Sequence, residues 1–443
     1  MKPHVYIETL GCSKNQVDTE IMLSSLVRAS YQWTADPAQA EVILVNTCGF
    51  LQSAVEESID RILSLAQYKQ QGNCKALVAV GCMIQRYGKD LLQEIPELDG
   101  ILGSSDYTAI LGLVTRILGH QERVALVEER PGYEASNLNA ERLRVGPGHQ
   151  AYLKISEGCS NKCSFCNIPK LRGPMRAKPQ EMILAEAGLL LSQGVKELTL
   201  LAQDTSAYQS TQGGLLELCQ ALLRAQGGDY WLRILYAYPN NFPLGLFPLM
   251  NQDPRLLPYA DLPLQHIDDG ILKSMRREVT EAEIRPLLEA GAKAGITLRT
   301  SLIVGFPGEG EREFRRLLRL VEEGWFHHVG VFCFSDEDNI QAHKFARKVP
   351  VELAEERRNA LMEAQQAVSL QKNQTLLGRT LRVLVEGVSQ ETELLLQARA
   401  AHQAPEVDGV TLINEGSAPA GSFALAEVVE AHPYDLVARI LEE

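Results

Sequence analysis

The chain has 443 residues, a formal net charge of −13, 45% hydrophobic and 22% charged side chains. This is an ordinary globular composition, and its acidic balance excludes a general nucleic-acid clamp while leaving room for a local basic patch. No run approaches the roughly 18 apolar residues of a membrane span, and the N-terminus MKPHVYIETLGCSKNQ lacks the apolar core of a signal peptide, so no membrane association and a cytoplasmic location are expected.

Roughly 100–200 residues per domain predicts two to four domains. Over residues 1–145, apolar β-branched runs (VYIETLGC, EVILVNTC, ALVAVGC) alternate with segments of helical spacing (VDTEIMLSSLVRA, LQSAVEESIDRILSLAQ). That alternation predicts a parallel α/β domain with both sheet faces covered. A polar Gly- and Pro-containing connector, RPGYEASNLNAERLRVGPGH, follows. Over 146–375 the alternation resumes with six strand candidates: AYLKIS, ELTLLAQ, WLRILYAY, DLPLQH, ITLRTSLIVGFP and HVGVFCF. Six β–α units in a row predict a partial (β/α)6 barrel, with its chemistry at the C-terminal ends of the strands. Over 376–443 the short runs RTLRVLVEG, ELLLQARA, GVTLINE and SFALAEVVEA predict a small all-β barrel.

Nine cysteines, an odd number in a reducing compartment, point to metal ligation or catalysis rather than disulfides. Cys159, Cys163 and Cys166 follow the first central strand in EGCSNKCSFCNIP. A structural zinc site there needs a fourth ligand; His149 lies at the wrong end of the strand and His266 is distant in sequence. A 4Fe-4S cubane with three protein thiolates and one open iron needs no fourth residue. The C-x-x-x-C-x-x-C spacing resembles the radical-SAM superfamily. The resemblance implies that S-adenosylmethionine (SAM) chelates the open iron and is cleaved by one electron to a deoxyadenosyl radical, with a flavodoxin-type protein as electron donor. It also implies that Phe165 covers the cluster loop, although core packing explains an aromatic residue equally well. The glycine turn beginning at Gly305 in LIVGFPGE would pass under the adenosyl group. Gln203, Asp204, Gln265 and His266 stand at strand ends, where they either contact SAM or substrate or cap the strands.

A second trio lies in the first domain. Cys12, Cys48 and Cys82 each follow a predicted parallel strand, and such strand ends converge on one crevice. Chance placement of three ordinary cysteines and a second open-iron 4Fe-4S cluster are the two readings. Cys74 precedes its strand, while Cys219 and Cys333 look like buried structural cysteines.

The stretches ETLGCSKNQVDTE, VNTCGF and VGCM, followed by GCSNKCSFCNIP and a small β-domain, resemble the radical-SAM methylthiotransferase family over essentially the whole chain. The resemblance implies an N-terminal cluster domain, a radical-SAM core and a C-terminal TRAM domain. It implies two 4Fe-4S clusters and two SAM molecules, one methylating sulfur on the auxiliary cluster and one generating the radical. One branch modifies a tRNA adenosine beside the anticodon; the other modifies the β-carbon of an aspartate in ribosomal protein S-twelve of the small subunit. SEGCSNKCSFCNIPKLRGPMR, LLAQDTSAY, YAYP and LPLQHIDDGILKSMRR resemble the protein-modifying branch.

Charge points the same way. Residues 379–443 carry four basic and eleven acidic side chains, a balance of −7. Such a domain repels tRNA phosphates and attracts a basic ribosomal protein, unless its charges are only solubilising. Lys170, Arg172 and Arg176, just after the cluster loop, are expected to line the substrate entrance.

Overall fold

The computed structural model describes residues 2–120, 122–129, 131–132 and 140–441. Part of the polar connector, 133–139, lies outside the described residues. In the N-terminal region, β1 (His4–Thr9), β2 (Gln32–Trp33), β3 (Val42–Thr47), β4 (Ala76–Gly81), β5 (Gly100–Leu102) and β6 (Val124–Leu126) form one all-parallel sheet, ordered β2-β1-β3-β4-β5-β6. Every residue of β3 and β4 is buried, because VILVNT and ALVAVG run mid-sheet between two helical layers. Helices Ser13–Arg28 and Ile110–His120 cover one face through Ile21, Met22, Leu113 and Val114. Helix Gln52–Ala66 covers the other through Val55, Ile62 and Leu65. The chain runs outward from β1 to β2 and returns to β3 on the far side of β1. Strand order therefore reverses between β1 and β3, where open α/β sheets place ligands.

The central region consists of two three-stranded parallel sheets. One contains β7 (Gln150–Lys154), β10 (Glu197–Leu201) and β13 (Trp231–Ile234), and the other β14 (Tyr259–Asp261), β15 (Thr297–Val304) and β16 (His328–Cys333). Strands are spatially ordered as in sequence, as a partial barrel requires. β8 (Ser156–Glu157) and β9 (Arg176–Ala177) pair antiparallel and bracket the cysteine loop; β11 (Gln209–Ser210) and β12 (Gly213–Gly214) form a small hairpin. β14 stops at Asp261, the first residue of the expected strand DLPLQH, because Pro263 has no N–H to contribute to a ladder. Only Gln265 rejoins the sheet, as an isolated bridge to Leu302.

The C-terminal region is a closed barrel of β17 (Thr380–Val388), β18 (Leu396–Ala400), β19 (Thr411–Glu415), β20 (Phe423–Ala431) and β21 (Leu436–Ile440), ordered β17-β18-β19-β21-β20. It packs on the N-terminal ends of the central strands. Buried Arg399 pairs with Glu197, which opens β10, at 2.7 Å and with Glu386 at 2.6 Å. Arg233 of β13 donates to the Ala401 carbonyl at 3.0 Å. Asp408 pairs with Arg299 of β15 at 3.3 Å and accepts from the Tyr259 hydroxyl at 2.6 Å. Glu386 and Asp408 thus face this interface rather than solvent. The acidic surface expected from the domain's charge balance is smaller by those two carboxylates.

The same interface buries histidines. His328 and His402 stack at 6.5 Å between ring centroids. Burial holds His402 down at about 3 and, at the nearby helix Val351–Gln374, His327 at about 2, with Lys372 pushing His327 the same way. Asp408 opposes the shift of His402, and Arg233 reinforces it. Folded-state values below the unfolded value near 6.5 mean that stability is full above about pH 6.5 and declines as the unfolded chain alone takes up protons. At pH 5 the loss should reach about 2 kcal/mol per histidine. Urea unfolding at pH 7 and pH 5 reads this directly, and the His402→Gln variant should show a shallower pH dependence.

Candidate active site

The loop carrying Cys159, Cys163 and Cys166 leaves the C-terminal end of the first central strands. The Cys159 amide donates to the Gly173 carbonyl at 3.1 Å, and the Cys166 amide to the Cys163 carbonyl at 3.1 Å. Ser164, between them, is the anchor: its amide donates to Met275 O at 3.0 Å, its hydroxyl to Ser274 O at 2.8 Å, and its carbonyl accepts from Ala342 N at 2.8 Å. Phe165 packs beneath the loop against the apolar cluster of Ile271, Met275, Phe306 and Ile340. Arg277 spans the loop and the barrel, with its Nη1 3.8 Å from Cys163 Sγ and its guanidinium carbon 3.8 Å from the Tyr238 ring centroid. All nine cysteines are free thiols. Burial pushes Cys159 up to about 11 and Cys166 up to about 12. A cationic group would be needed to hold them as thiolates at neutral pH, and the iron of a cluster bound there would supply one.

The strand-end residues divide into two kinds. Asp204 is structural: it accepts from Asn161 Nδ2 at 2.8 Å and Ser206 Oγ at 2.6 Å, tying the cysteine loop to β10's end. Glu309 fixes the glycine turn, accepting from the Gly305 amide at 3.2 Å and pairing with Arg357 at 2.7 Å. Gly305 has φ +75°, and a Cβ there would lie 2.5 Å from Ala354 Cβ, so the crowding that demands glycine comes from the helix Val351–Gln374. Gln203 donates to Glu157 but leaves its Oε1 without a hydrogen-bond partner, and the Nε2 of fully buried His266 makes no hydrogen bond, lying 3.6 Å from the Glu309 carboxylate. Gln265 adopts φ +71°, uncommon for a residue with a side chain. Unpartnered buried polar atoms at the C-terminal strand ends fit a polar ligand such as SAM.

The second trio is brought together. Cys12 caps helix Ser13–Arg28, Cys48 precedes helix Gln52–Ala66, and Cys82 opens helix Cys82–Tyr87. Thiolates at helix N-termini are favoured by the exposed amides and the dipole. Glycines allow the three strand ends to touch. A Cβ on Gly11 would sit 2.9 Å from Cys48 Cβ, and one on Gly49 would sit 2.7 Å from the Cys82 carbonyl group. Burial raises Cys48 and pushes Cys82 to about 12, and each thiol feels the Cys12 charge. Cys74 is buried in the apolar core behind the sheet, and Cys219 is fully buried. Among the described residues, no group of three or more His, Cys, Asp or Glu is placed to hold a metal ion. A cubane spreads its three cysteinyl sulfurs over three irons, so it does not require the convergence a mononuclear site does. The three free thiols at neighbouring strand ends and the glycines between them fit such a cluster.

Between the trios lies a buried ion lattice. Lys154 Nζ is 2.6 Å from both Asp18 and Glu157; Arg172 is 2.8 Å from Asp18, 3.2 Å from Glu157 and 2.6 Å from Asn15 Oδ1. Burial raises Glu157, but Lys154 and Arg172 outweigh it and hold the carboxyl well below the usual range. Arg172 is therefore inside the molecule, not at the substrate entrance where the sequence suggested it. Of the three basic residues expected there, Lys170 alone lines the cleft. Arg176 sits in the β8–β9 pair, close to Gly132. The cleft, of about 700 Å³, is lined by Cys159, Cys163 and Cys166 and rimmed by Lys162, Lys170, Arg276 and Lys344. Its far wall, Asp338 to Gln341, connects to the first domain: Glu337 accepts from the Gln52 amide at 2.9 Å and pairs with Arg86 at 2.7 Å. No spacing in the sequence signalled Glu337, Arg86 or the lattice, since each joins segments more than a hundred residues apart.

Three family models match: the uncharacterized protein family UPF0004 over residues 4–103, the radical SAM superfamily over 153–321 and the TRAM domain over 377–441. In fold, the chain is similar to the radical S-adenosylmethionine methyltransferase TsrM from Kitasatospora setae, with a TM-score of 0.58 at 13% identity, covering 75% of each chain. It is also similar to the cobalamin-dependent radical enzyme OxsB, with a TM-score of 0.51 at 13% identity, covering 82% of this chain and 56% of that one. The radical-SAM scaffold, joined to a TRAM barrel and a second cysteine crevice, defines a radical-SAM methylthiotransferase. Among curated relatives, ribosomal protein uS12 methylthiotransferase RimO of Anaeromyxobacter sp. (strain K) is 45% identical over 445 residues, covering 100% of this chain and 94% of that one. RimO of Geobacter sulfurreducens is 42% identical over 444 residues, covering 99% of each. The chain belongs to the RimO family of ribosomal protein uS12 methylthiotransferases.

Proposed function

We propose that this enzyme attaches a methylthio group to the β-carbon of an aspartate in ribosomal protein S-twelve, with Cys159, Cys163 and Cys166 holding the radical-SAM cluster and Cys12, Cys48 and Cys82 the auxiliary cluster. The observation that carries the reading is the second trio gathered at the β1/β3 switch point of a chain with whole-length RimO relatives. The family relationship favours a protein substrate over tRNA. When bound, SAM and the clusters supply the methyl group, the sulfur and the radical that opens the substrate C–H bond.

The chain's own residues orient and enclose. Ser164 and Asn161 fix the cysteine loop, and Phe165 and the apolar cluster behind it exclude water from one side. Gln203 Oε1 and His266 Nε2 offer polar contacts to SAM, and Glu309 holds the Gly305 turn. Lys162, Lys170, Arg276 and Lys344 attract the target carboxylate to the cleft against the chain's overall negative charge. We assign the N-terminal cluster domain to 1–145, the radical-SAM core to 146–375 and the TRAM domain to 376–443. A flavodoxin-type donor supplies the electron. The location is cytoplasmic; no helix among the described residues is long and apolar enough to cross a membrane.

The test is peptide mass spectrometry of ribosomal protein S-twelve after incubation with the anaerobically reconstituted enzyme, SAM, sulfide and reductant, with tRNA in a parallel tube. A methylthio increment on the aspartate peptide is expected. An increment on tRNA alone would overturn the substrate assignment.

A further inference from the structure

Glu337 is 5% exposed and stands between β16 and the short helical turn Gln341–Lys344, in the segment that forms the far wall of the cleft. Its carboxylate reaches out of the central region to two elements of the first domain at once. One oxygen accepts from the Gln52 amide at 2.9 Å and from Ser335 Oγ at 2.6 Å; the other pairs with Arg86 at 2.7 Å. Gln52 opens the helix that follows Cys48, and Arg86 lies about one helical turn after Cys82. Arg86 also donates to the carbonyl of Gly49, the neighbour of Cys48, at 3.2 Å. One buried carboxylate therefore clasps the segments that carry two of the three cysteines. The residues after it grip the other trio. Asn339 accepts from Asn167 and Lys170, just after Cys166, and the Ala342 amide donates to the Ser164 carbonyl at 2.8 Å. Joining the two domains does not need this clasp. The lattice of Asp18, Lys154, Glu157 and Arg172 joins them, and Arg142 does so again by pairing with Glu20 at 2.8 Å and Glu186 at 2.6 Å.

We propose that Glu337 is a positioning residue that sets the second trio against the radical-SAM cleft, so that the sulfur held there faces the substrate carbon. The proposal rests on the reading that Cys12, Cys48 and Cys82 hold the auxiliary cluster. Glu337 makes and breaks no covalent bond itself. It acts through Gln52 and Arg86, and a displacement of about 1 Å can cost on the order of a hundredfold in a step that needs two groups in register. Losing the clasp should therefore spare SAM cleavage, which needs the core alone, and lower the share of cleavages that end in methylthio product.

The experiment compares full-length, reconstituted wild type with Glu337→Ala, Glu337→Gln and, as a docking control, Arg142→Met, whose ion-pair partners belong neither to the cleft lining nor to a trio. Iron, deoxyadenosine and the methylthiolated peptide of ribosomal protein S-twelve are counted. Amide hydrogen exchange is followed over the helices Gln52–Ala66 and Cys82–Tyr87. Glu337→Ala should keep roughly eight irons per chain and raise the deoxyadenosine formed per methylthio product by roughly tenfold or more. It should also speed exchange in both helices, because a local anchor is lost. Glu337→Gln, which can still accept from the Gln52 amide, should fall between it and wild type. Arg142→Met should keep the wild-type ratio. An unchanged ratio or unchanged exchange in iron-replete Glu337→Ala, or an equal rise in Arg142→Met, would overturn the proposal and leave Glu337 an ordinary domain contact. If Glu337→Ala loses iron, Glu337→Gln decides, and a wild-type ratio there overturns the proposal. A wild-type protein with only one cubane's iron, unchanged by Cys82→Ala, would overturn the two-cluster reading itself, and the iron count distinguishes that failure from the other.

Discussion

Alanine at Cys12, Cys48 and Cys82 together should reduce the iron content from roughly eight to roughly four per chain, one cubane's worth. It should abolish methylthio transfer while leaving reductive cleavage of SAM to deoxyadenosine. Alanine at Cys159, Cys163 and Cys166 should instead abolish both reactions and keep the other four irons. The asymmetry follows from the separate scaffolds of the trios: one lies at the carboxyl ends of the N-terminal sheet, the other on a loop anchored by Ser164 to Met275 and Ala342. A colorimetric iron assay and chromatography of SAM products measure the two outcomes. Unchanged iron in the first variant would remove the second cluster from the account.

The second large effect concerns stability. Arg399→Met should destabilise the docking of the C-terminal barrel by about 3–5 kcal/mol, the range for stripping one partner from a buried ion pair. Arg399 is 1% exposed and serves Glu197 and Glu386 at once, with a third bond to the Gln403 carbonyl at 3.1 Å. Arg233 still compensates Glu197, at 2.6 Å, so Glu386 is the carboxylate that loses its arginine, keeping only the Gln397 amide at 2.8 Å and His149 at 3.8 Å. The barrel should then unfold in a separate, earlier urea transition, read by circular dichroism and limited proteolysis. Adding Glu386→Gln should restore much of the loss, because the penalty comes from the unpaired charge rather than from the missing attraction.

Local signals in the sequence revealed the scaffold. VILVNT and ALVAVG are continuous apolar runs and became central strands. The last two strands of the N-terminal sheet did not announce themselves: GIL at β5 and VAL at β6 are three residues each, too short to show a period. β21, Leu436–Ile440, was missed because its five residues follow a Pro- and Asp-containing stretch that reads as a loop. The N-terminal trio was suggested by a glycine beside each strand-end cysteine, GC, CG and GC after β1, β3 and β4, and the other trio by its C-x-x-x-C-x-x-C spacing. Arg172 was misplaced because proximity to the cluster loop in sequence suggested proximity to the entrance. Its position is decided by Asp18, 154 residues earlier. The charge balance of the TRAM domain misled in part for the same reason: counting charges does not tell which of them, like Asp408, face a neighbouring domain.

The ion lattice also bears on how this chain emerges during synthesis. Asp18 and Asn15 lie in the first helix, whereas Lys154, Glu157 and Arg172 are made more than a hundred residues later. Nascent domains generally fold from the N-terminus onward, but here the first one cannot finish alone. Its sheet and helices can form around the side of the core that holds Ile21, Leu44 and Val114. The face bearing Asp18 must stay hydrated until residue 172 has cleared the exit tunnel, since an unpaired buried carboxylate is too costly to enclose. Cys82 lies beside that face. Its crevice is therefore still open to solvent when the loop bearing Cys159, Cys163 and Cys166 emerges, and both cysteine trios reach their final setting at nearly the same point in the chain's elongation.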